Sequence, residues 1–326
     1  MARILSSLPK SRFERYGVLP PSDLDVIYIE PTEQEFLAHI KGTDFLWISS
    51  LDPIGAELIR ASDRLKLIQT QGVGYDKIDL AAAAEKGIYV CNTRSSNRYC
   101  VAEHTLAMIL SCLREIPFLD RECRKANSME ARTAFTRHRT RQLSDCHVGL
   151  VGFGDIGRTL ASYLQPFGCR ISYYSRTRYS REIEQQHRTQ YLPLEELLQQ
   201  CDIISLHVPA SPSTVNMINE KTLKQMRRDA ILVNCSRGEL VDSAALAQAL
   251  KEGWIERCAL DTVWPEYPGP DHPLLNLPSE VSDRMILTPH CGGFSDSSFT
   301  RMLSSGRDNI LRVMSGEQPL NIQNGI

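Results

Sequence analysis

The sequence contains no run of about 18 apolar residues, the length that a helix needs to cross a bilayer. Its amino terminus, MARILSSLPK, lacks the longer apolar core of a secretory signal peptide. The net charge of −2 provides no strong field of one sign that would attract nucleic acid or a membrane surface. These absences predict a cytoplasmic protein whose partners include neither nucleic acid nor membrane.

The ten cysteines form no C-x-x-C pair, and several lie in apolar, strand-like runs such as AILVNC and CDIISLHV. Disulfide frameworks and thiolate metal sites have close, regular spacings that this sequence lacks. The spacing of His, Cys and Asp matches no metal template either. We therefore interpret the cysteines as buried, reduced thiols and predict no metal site.

The sequence does contain a regular alternation of short β-branched runs with helical patterns. In the first hundred residues the strand candidates are RILSSL, LDVIYI, FLWIS, KLIQT and IYVCN, and the helical patterns between them are TEQEFLAHI, PIGAELIRA and KIDLAAAAEKG. The last pattern ends at Gly87, a residue type typical of helix C-termini. This alternation predicts βαβ units and a parallel sheet.

A second series of strands begins after a helix and an arginine-rich segment. The helix, Tyr99–Leu113, is apolar almost all round, which predicts burial between domains or subunits. Segment 114–143 has little periodicity, and we expect a surface excursion that is solvated or contacts a second subunit, a nucleic-acid role being the weaker alternative. Six strand candidates follow, as in a complete doubly wound nucleotide-binding sheet: HVGLVGF, RISYYS, DIISLHV, AILVNC, CALDTV and MILTPH.

A glycine-rich turn lies between the first of these strands and the next helical pattern. Gly152, Gly154 and Gly157 have the G-x-G-x-x-G spacing of dinucleotide-binding turns. Such glycines permit a tight turn, a close approach of the backbone to a pyrophosphate, and close packing of helix on sheet. The following helix N-terminus supplies free N–H groups for the phosphates. The alternative is an ordinary glycine-containing turn.

The end of the second strand of this series has an unusual charge. Carboxylates that bind the adenosine ribose of NAD occur about 20 residues past the first glycine. Here the residues are Ser175, Arg176, Thr177 and Arg178, which offer guanidinium and hydroxyl donors to a 2′-phosphate. The sequence therefore predicts NADPH (NADP) as cofactor, the alternative being a solvated basic loop.

Three further segments place chemically active residues at strand ends. Arg237 follows AILVNC, Asp261 follows CAL with Glu266 five residues on, and His290 follows MILTP. Ligands of open α/β sheets bind outside the carboxyl ends of the strands, so these side chains are expected to face one crevice. A buried structural set is the alternative.

These blocks resemble, in order and over nearly the whole chain, those of the D-isomer-specific 2-hydroxyacid dehydrogenases. The blocks are QGVGYDKID, VAEHTLAMIL, GLVGFGDIGR, SLHVPASPST, NCSRGELVD, ALDTVWPE and TPHCGG. The resemblance implies an α/β fold, in which a Rossmann-type doubly wound parallel sheet, residues 99–294, is inserted into a smaller flavodoxin-like substrate domain, residues 1–98 with 295–326. It also implies a homodimer.

The resemblance also assigns roles to residues. Arg237 is similar to the arginine that binds the substrate, His290 to the catalytic acid/base and Glu266 to its carboxylate partner. Val73 and Gly74 match the loop whose N–H groups hold the substrate carboxylate, and Asp261 matches the residue that contacts the nicotinamide carboxamide. The implied cofactor contacts are Gly152, Gly154, Asp155, Ile156, Gly157, Ser175, Arg176, Thr177, Arg178, Val208, Pro209, Thr214, Cys235, Ser236, Asp261, Gly292 and Gly293.

The expected activity is NADPH-dependent reduction of a small 2-oxo acid, such as glyoxylate or hydroxypyruvate, to the D-2-hydroxy acid. Such a reduction needs a proton donor for the ketone oxygen, which His290 can provide, and a cation for the developing alkoxide, which Arg237 can provide. Two alternatives remain: a corepressor-like protein that senses NAD(P)(H), and a family dehydrogenase for another small anion such as phosphite. Retention of Glu266 argues against a formate dehydrogenase.

Overall fold

The computed structural model describes residues 1–137 and 140–326. It divides into two compact units, one formed by residues 1–97 with 294–326 and the other by residues 98–293. Each boundary lies one residue from the one that the resemblance implies.

The first unit alternates strands and helices and ends in a long C-terminal helix, Asp296–Met314. The other elements are β1 (Arg3–Ser6), α1 (Lys10–Tyr16), β2 (Asp25–Tyr28), α2 (Glu33–His39), β3 (Phe45–Ser49), α3 (Ala56–Ala61), β4 (Leu67–Gln71), α4 (Leu80–Glu85) and β5 (Tyr89–Cys91).

The five strands form a parallel sheet of order β2-β1-β3-β4-β5, the flavodoxin-like order. Its central strands are nearly continuous apolar runs because both faces of a parallel sheet are covered. In β3, for example, Phe45, Leu46 and Trp47 are almost completely buried. Helix starts have local causes as well, since the side chains of Thr32 and Asp79 cap α2 and α4.

The second unit opens with three helices and continues as a doubly wound sheet. Its elements are α5 (Arg98–Arg114), α6 (Ile116–Arg124), α7 (Ser128–Arg137), β6 (His147–Val151), α8 (Asp155–Leu164), β7 (Arg170–Tyr174), α9 (Arg181–Gln186), β8 (Gln190–Tyr191), α10 (Leu194–Gln200), β9 (Ile203–Leu206), α11 (Glu220–Gln225), β10 (Ile231–Asn234), α12 (Ser243–Glu252), β11 (Arg257–Leu260), α13 (Ser279–Ser282) and β12 (Met285–Leu287).

The strands of this unit form a parallel Rossmann-type sheet of order β12-β11-β10-β9-β6-β7-β8. The strand order reverses between β6 and β9, and ligands of such sheets bind at that point, beyond the carboxyl ends of the strands. The predicted fold class is therefore confirmed. The register pairs Asn234 with Leu260 and Leu260 with Leu287, so the ends of β10, β11 and β12 are level.

Four features differ from the sequence-based expectations. Segment 114–143 is not patternless, because it contains α6 and α7. Short arginine-rich amphipathic helices show too few apolar positions for their period to stand out. The expectations also omitted α1 and the two-residue β8. Finally, α5 buries one face, whereas Tyr99 is exposed, so this helix is not buried all round in the single chain.

All ten cysteines are free thiols, and six of them are buried: Cys91, Cys112, Cys146, Cys201, Cys235 and Cys258. Burial raises the pKa of Cys91 and Cys235 to about 12, which makes these thiols poor nucleophiles. Within the described ranges, no helix combines the length and the apolar character needed to span a membrane.

Candidate active site

The glycine-rich turn joins β6 to α8, and two of its glycines are required by close packing. Gly152 has φ +102°, and a Cβ there would lie 2.6 Å from the carbonyl oxygen of His207. A Cβ on Gly157 would collide with the carbonyl oxygen of Gly152. Gly154 differs, because no atom lies within 4 Å of the position that its Cβ would take. The turn is therefore tight on the protein side and open at Gly154.

The open side of the turn coincides with the start of α8. Gly154 is the N-cap and has no side chain to accept the first N–H groups of the helix. These N–H groups and the helix dipole attract anions. The Asp155 carboxylate, the one negative side chain in the first helical turn, is paired with Arg158 Nη2 at 2.9 Å. The turn thus fits the pyrophosphate of a dinucleotide.

The tip of β7 has two arginines in different situations. Arg178 donates hydrogen bonds from Nε and Nη2 to the two oxygens of Glu184, each 2.8 Å long. Arg176 is exposed and makes no hydrogen bond or ion pair with any residue that the structure describes. Ser175 Oγ donates to the carbonyl oxygen of Thr177 at 2.6 Å. Arg176 therefore has a free guanidinium, whereas the charge of Arg178 is already matched by a carboxylate.

The loops after β9 and β10 are tied to each other. Ser236 Oγ donates to the carbonyl oxygen of Val208 at 2.5 Å, and Cys235 beside it is buried. Thr214 Oγ1 donates to the carbonyl oxygen of Pro209 at 2.7 Å, which closes the loop after β9 on itself. The loop after β9 begins at a strand end that flanks the switch point, and the loop after β10 begins at the end of the neighbouring strand.

Arg237 follows the end of β10, and hydrogen bonds engage both its carbonyl oxygen and its guanidinium. Asn234 Nδ2 donates to the carbonyl oxygen of Arg237 at 2.8 Å, and Arg237 Nη1 donates to the carbonyl oxygen of Ser236 at 2.8 Å. A Cβ on Gly238 would lie 2.5 Å from the backbone nitrogen of Trp264. The chain after β10 therefore packs directly against the chain after β11, which continues to Glu266.

His290 and Glu266 form a direct pair. His290 Nδ1 and Glu266 Oε1 are in hydrogen-bond contact, and both side chains are about three-quarters buried, with 26% and 20% exposed. His290 has φ +53°, and its N–H donates to the carbonyl oxygens of Asp261 at 2.8 Å and Thr288 at 3.0 Å. Because Nδ1 is occupied by Glu266, Nε2 is the ring nitrogen left for another partner.

Asp261 lies at the end of β11 and is surrounded by donors. Its Oδ2 accepts from Gly292 N at 2.8 Å, and its Oδ1 accepts from Thr288 Oγ1 at 2.5 Å and Cys291 N at 3.0 Å. His104 Nε2 is 3.4 Å from Oδ1. Burial alone would raise the pKa of Asp261, but hydrogen bonds from His104, Thr288 and the 291–292 backbone together hold this pKa far below its usual value.

The same carboxylate belongs to a set with metal-ligand chemistry. One ligand atom each of His104, Asp261 and Cys291 lies within 4.8 Å of the others. Both oxygens of Asp261 already accept hydrogen bonds, and proximity to that carboxylate raises the pKa of the Cys291 thiol beyond the effect of burial. We interpret this set as a hydrogen-bond cluster that holds the loop carrying His290. A Cβ on Gly292 would lie 2.8 Å from Asp261 Oδ2, so the loop fits only with glycine there.

His104 and Thr288 are members of this cluster that the sequence reasoning missed. His104 lies in the block VAEHTLAMIL and Thr288 in the block TPHCGG, so their position in these family-like blocks was a usable signal. Nothing in their spacing from Asp261 indicates the contact, because residues 104, 261 and 288 come from three separate elements.

Val73 and Gly74 lie in the first unit, in the loop after β4. Asn92 Nδ2 donates to the carbonyl oxygen of Val73 at 2.7 Å, and Thr93 N donates to that of Gly72 at 2.9 Å. Neither Val73 N–H nor Gly74 N–H donates a hydrogen bond to the described residues. The loop thus presents two adjacent backbone donors, as carboxylate binding requires.

A glycine-rich turn at the switch point of a doubly wound sheet, with a histidine–carboxylate pair beyond neighbouring strand ends, is typical of nicotinamide-dependent oxidoreductases. A family model described as D-isomer specific 2-hydroxyacid dehydrogenase, NAD binding domain, matches residues 106–292, more than half of the chain. The chain belongs to the D-isomer-specific 2-hydroxyacid dehydrogenase family, and the resemblance seen in the sequence is confirmed.

Known relatives extend this match to nearly the full length. A glyoxylate reductase of Korarchaeum cryptofilum is 36% identical over 298 residues, covering 90% of this chain and 86% of the relative. Among solved structures, D-lactate dehydrogenase from Aquifex aeolicus, complexed with NAD and lactic acid, is 28% identical with a TM-score of 0.83, covering 97% and 96% of the two chains. An acyclic imino acid reductase in complex with NADPH and D-Arg is 27% identical with a TM-score of 0.84, covering 98% and 99%.

Proposed function

We propose that this enzyme reduces a small 2-oxo acid of the glyoxylate or hydroxypyruvate type to the D-2-hydroxy acid, with NADPH as electron donor. The observation that carries the proposal is the His290–Glu266 pair, in which His290 lies on a loop fixed by Asp261. The relatives support the reaction type, since several at 34–36% identity are glyoxylate reductases. A soluble cytoplasmic location accompanies the proposal.

His290 is the proton donor and acceptor in this scheme. Glu266 contacts Nδ1, which fixes the ring orientation and places a carboxylate beside the ring. Nε2 then gives its proton to the ketone oxygen during reduction, and the neutral ring takes it back during oxidation. The bound dinucleotide supplies the hydride for the carbonyl carbon. The positive φ of His290 is maintained by the two hydrogen bonds of its N–H, so the ring direction is set by the backbone.

Arg237 is the substrate-binding cation. Its backbone is held by Asn234 and its neighbour Gly238 is packed against the chain after β11, so the guanidinium starts from a rigid position. A planar guanidinium can bind a carboxylate with two parallel hydrogen bonds and can polarise the adjacent ketone. The free N–H groups of Val73 and Gly74 are the second element assigned to the substrate carboxylate.

The cofactor preference rests on the tip of β7. No carboxylate lies between Ser175 and Arg181, and the nearby Glu184 is occupied by Arg178. Arg176 is then the residue that binds the 2′-phosphate, with the Ser175 and Thr177 hydroxyls beside it. Arg178 has a secondary role, because it must share its charge with Glu184. The remaining contacts assigned by resemblance, from Gly152 to Gly293, stay predictions.

The oligomeric state belongs to the same proposal. Ile116 and Met129 in α6 and α7 are 53% and 71% exposed, and Leu106 and Leu110 of α5 are partly exposed. A second copy related by a two-fold axis would cover these apolar side chains. Light scattering at micromolar concentration should report twice the chain mass of 36.8 kDa. A 36.8 kDa species would contradict the dimer.

The test of function is a turnover assay. The purified enzyme is given NADPH or NADH with glyoxylate, hydroxypyruvate, pyruvate, 2-oxoisocaproate or phenylpyruvate, and oxidation of the cofactor is followed by its absorbance. Turnover with NADPH and at least one small 2-oxo acid, producing the D enantiomer, is the expected result. Tight NADPH binding without any turnover would instead favour the sensor alternative.

A further inference from the structure

Gln71 is a buried amide with one unused end. It is the last residue of β4, immediately before the loop that contains Val73 and Gly74, and the residue is only 7% exposed. Gln71 Oε1 accepts a hydrogen bond of 2.7 Å from Arg12 Nη1. Gln71 Nε2 is buried and has no hydrogen-bond partner among the described residues.

The direction of this amide is fixed by Arg12. Rotating the amide by a half turn would place its NH₂ against the N–H of a guanidinium, which has donors but no acceptor. The orphan group is therefore a donor, and a buried unpaired donor is costly unless something accepts from it. Arg12 offers further donors beside it, since among the described residues its guanidinium makes one hydrogen bond, from Nη1, and lies 5.6 Å from the Phe299 ring centroid.

The carboxylate of Asp52, at the same edge of the sheet, balances the positive charge of Arg12. Asp52 follows β3 and accepts from Ser49 N at 2.9 Å and from the Ser7 hydroxyl, which follows β1. Burial raises the pKa of Asp52, and the charge of Arg12 acts in the opposite direction. Strand order in this sheet reverses between β1 and β3, so Ser7 and Asp52 lie at its switch point.

We propose that Gln71 Nε2 and the Arg12 guanidinium form a specificity element that binds an uncharged oxygen on the carbon next to the ketone, so that 3-hydroxy-2-oxo acids are preferred. The inference rests on the proposed function, because Val73 and Gly74 are the assigned carboxylate-binding donors. Gln71 lies two residues before Val73, and two residues of extended chain span at most about 7 Å. This distance is on the scale of a three-carbon acid. A second anion is disfavoured because Asp52 already balances Arg12.

Hydroxypyruvate and pyruvate differ only by the hydroxyl in question and make a matched pair of substrates. The wild-type enzyme should prefer hydroxypyruvate in kcat/KM by on the order of 10²-fold, because a site built for a hydroxyl rejects the analogue that lacks it. Gln71→Glu keeps an acceptor for Arg12 but removes the donor. It should lower the hydroxypyruvate/pyruvate ratio at least tenfold, and Arg12→Met should lower it in the same direction.

Arg15→Met is the control, because Arg15 lies on the same helix but is largely exposed and pairs with Asp296. It should keep the wild-type ratio. Melting temperature and NADPH affinity show whether each variant is folded, and Gln71→Glu decides alone if Arg12→Met does not fold. An unchanged ratio in folded Gln71→Glu, or a wild-type preference for oxaloacetate over hydroxypyruvate, would overturn the inference while the proposed function stands. Failure of the wild type to reduce any 2-oxo acid would overturn the proposed function instead.

Discussion

The tip of β7 and the ends of β10–β12 lie on the same sheet but are built in opposite ways. At the tip of β7, Arg176 is exposed and has no partner among the described residues. At the other strand ends, Asp261 accepts hydrogen bonds from four residues and fixes the loop that carries His290. Proton transfer needs a side chain held within hydrogen-bond reach of one atom, whereas a phosphate is attracted over a longer range. Rigid support is therefore found where chemistry is proposed.

The largest expected effect is at Arg237. Arg237→Lys keeps the charge but loses the two-pronged hydrogen bonding, so kcat/KM should fall by about 10²-fold or more, or roughly 3 kcal/mol of transition-state stabilisation. Arg227→Lys is the control, since Arg227 lies on the surface and pairs with Asp229. Steady-state kinetics measure both, and near-normal activity of Arg237→Lys would contradict its assigned role.

A loss of stability is expected at Asp261. In Asp261→Asn an NH₂ group would face N–H or O–H donors, and the cost should be about 1–3 kcal/mol at neutral pH. Because the folded-state pKa is lowered, the wild-type carboxylate stabilises the fold above its ordinary pKa of ~3.9 and loses this contribution as pH falls through the lowered value. Denaturation at pH 7 and pH 3 should show the difference shrinking in acid. A constant difference would refute the carboxylate's charge as the cause.

At the tip of β7 the expected effect is on cofactor choice. Arg176→Ala should raise KM for NADPH about tenfold or more, the loss of one charge-assisted hydrogen bond, and leave KM for NADH nearly unchanged. Arg178→Ala is the matched comparison and should have the smaller effect, because Arg178 is paired with Glu184. Equal kcat/KM for NADH and NADPH in the unmodified enzyme would show that these arginines are a solvated loop.

The smallest predicted effect is a displacement of the pH profile. Oxidation of the hydroxy acid should decline at low pH, where His290 is protonated and cannot accept the hydroxyl proton. Glu266→Gln removes the negative charge beside the ring, so this limb should move to lower pH. Glu280→Gln, at an exposed position of α13, should leave the limb in place. If both variants have the wild-type profile, Glu266 is not the partner of His290.

The parts predicted best are those whose cause is local. The glycine spacing predicted the turn before α8, and continuous apolar runs predicted the parallel strands, because the strands are buried on both faces. Apolar runs did not predict β8, because it has only two residues. Helices α6 and α7 were not predicted because their sequences show no clear apolar periodicity. The roles of Arg237, Glu266 and His290 came from the strand-end rule together with the resemblance, and they remain predictions that the kinetics above address.

By itself, the sequence determined the fold class, the family and the residue types available at each strand end, since these follow from apolar periodicity and short motifs. Only the tertiary structure decided which of those residues are committed to partners. Arg176 and Arg178 are equivalent in sequence, yet only Arg178 meets a carboxylate, because α9 brings Glu184 back to it. Likewise α1 brings Arg12 to Gln71, 59 residues away, and leaves Nε2 unpaired. Contacts between distant elements depend on how the chain packs, which no local pattern encodes.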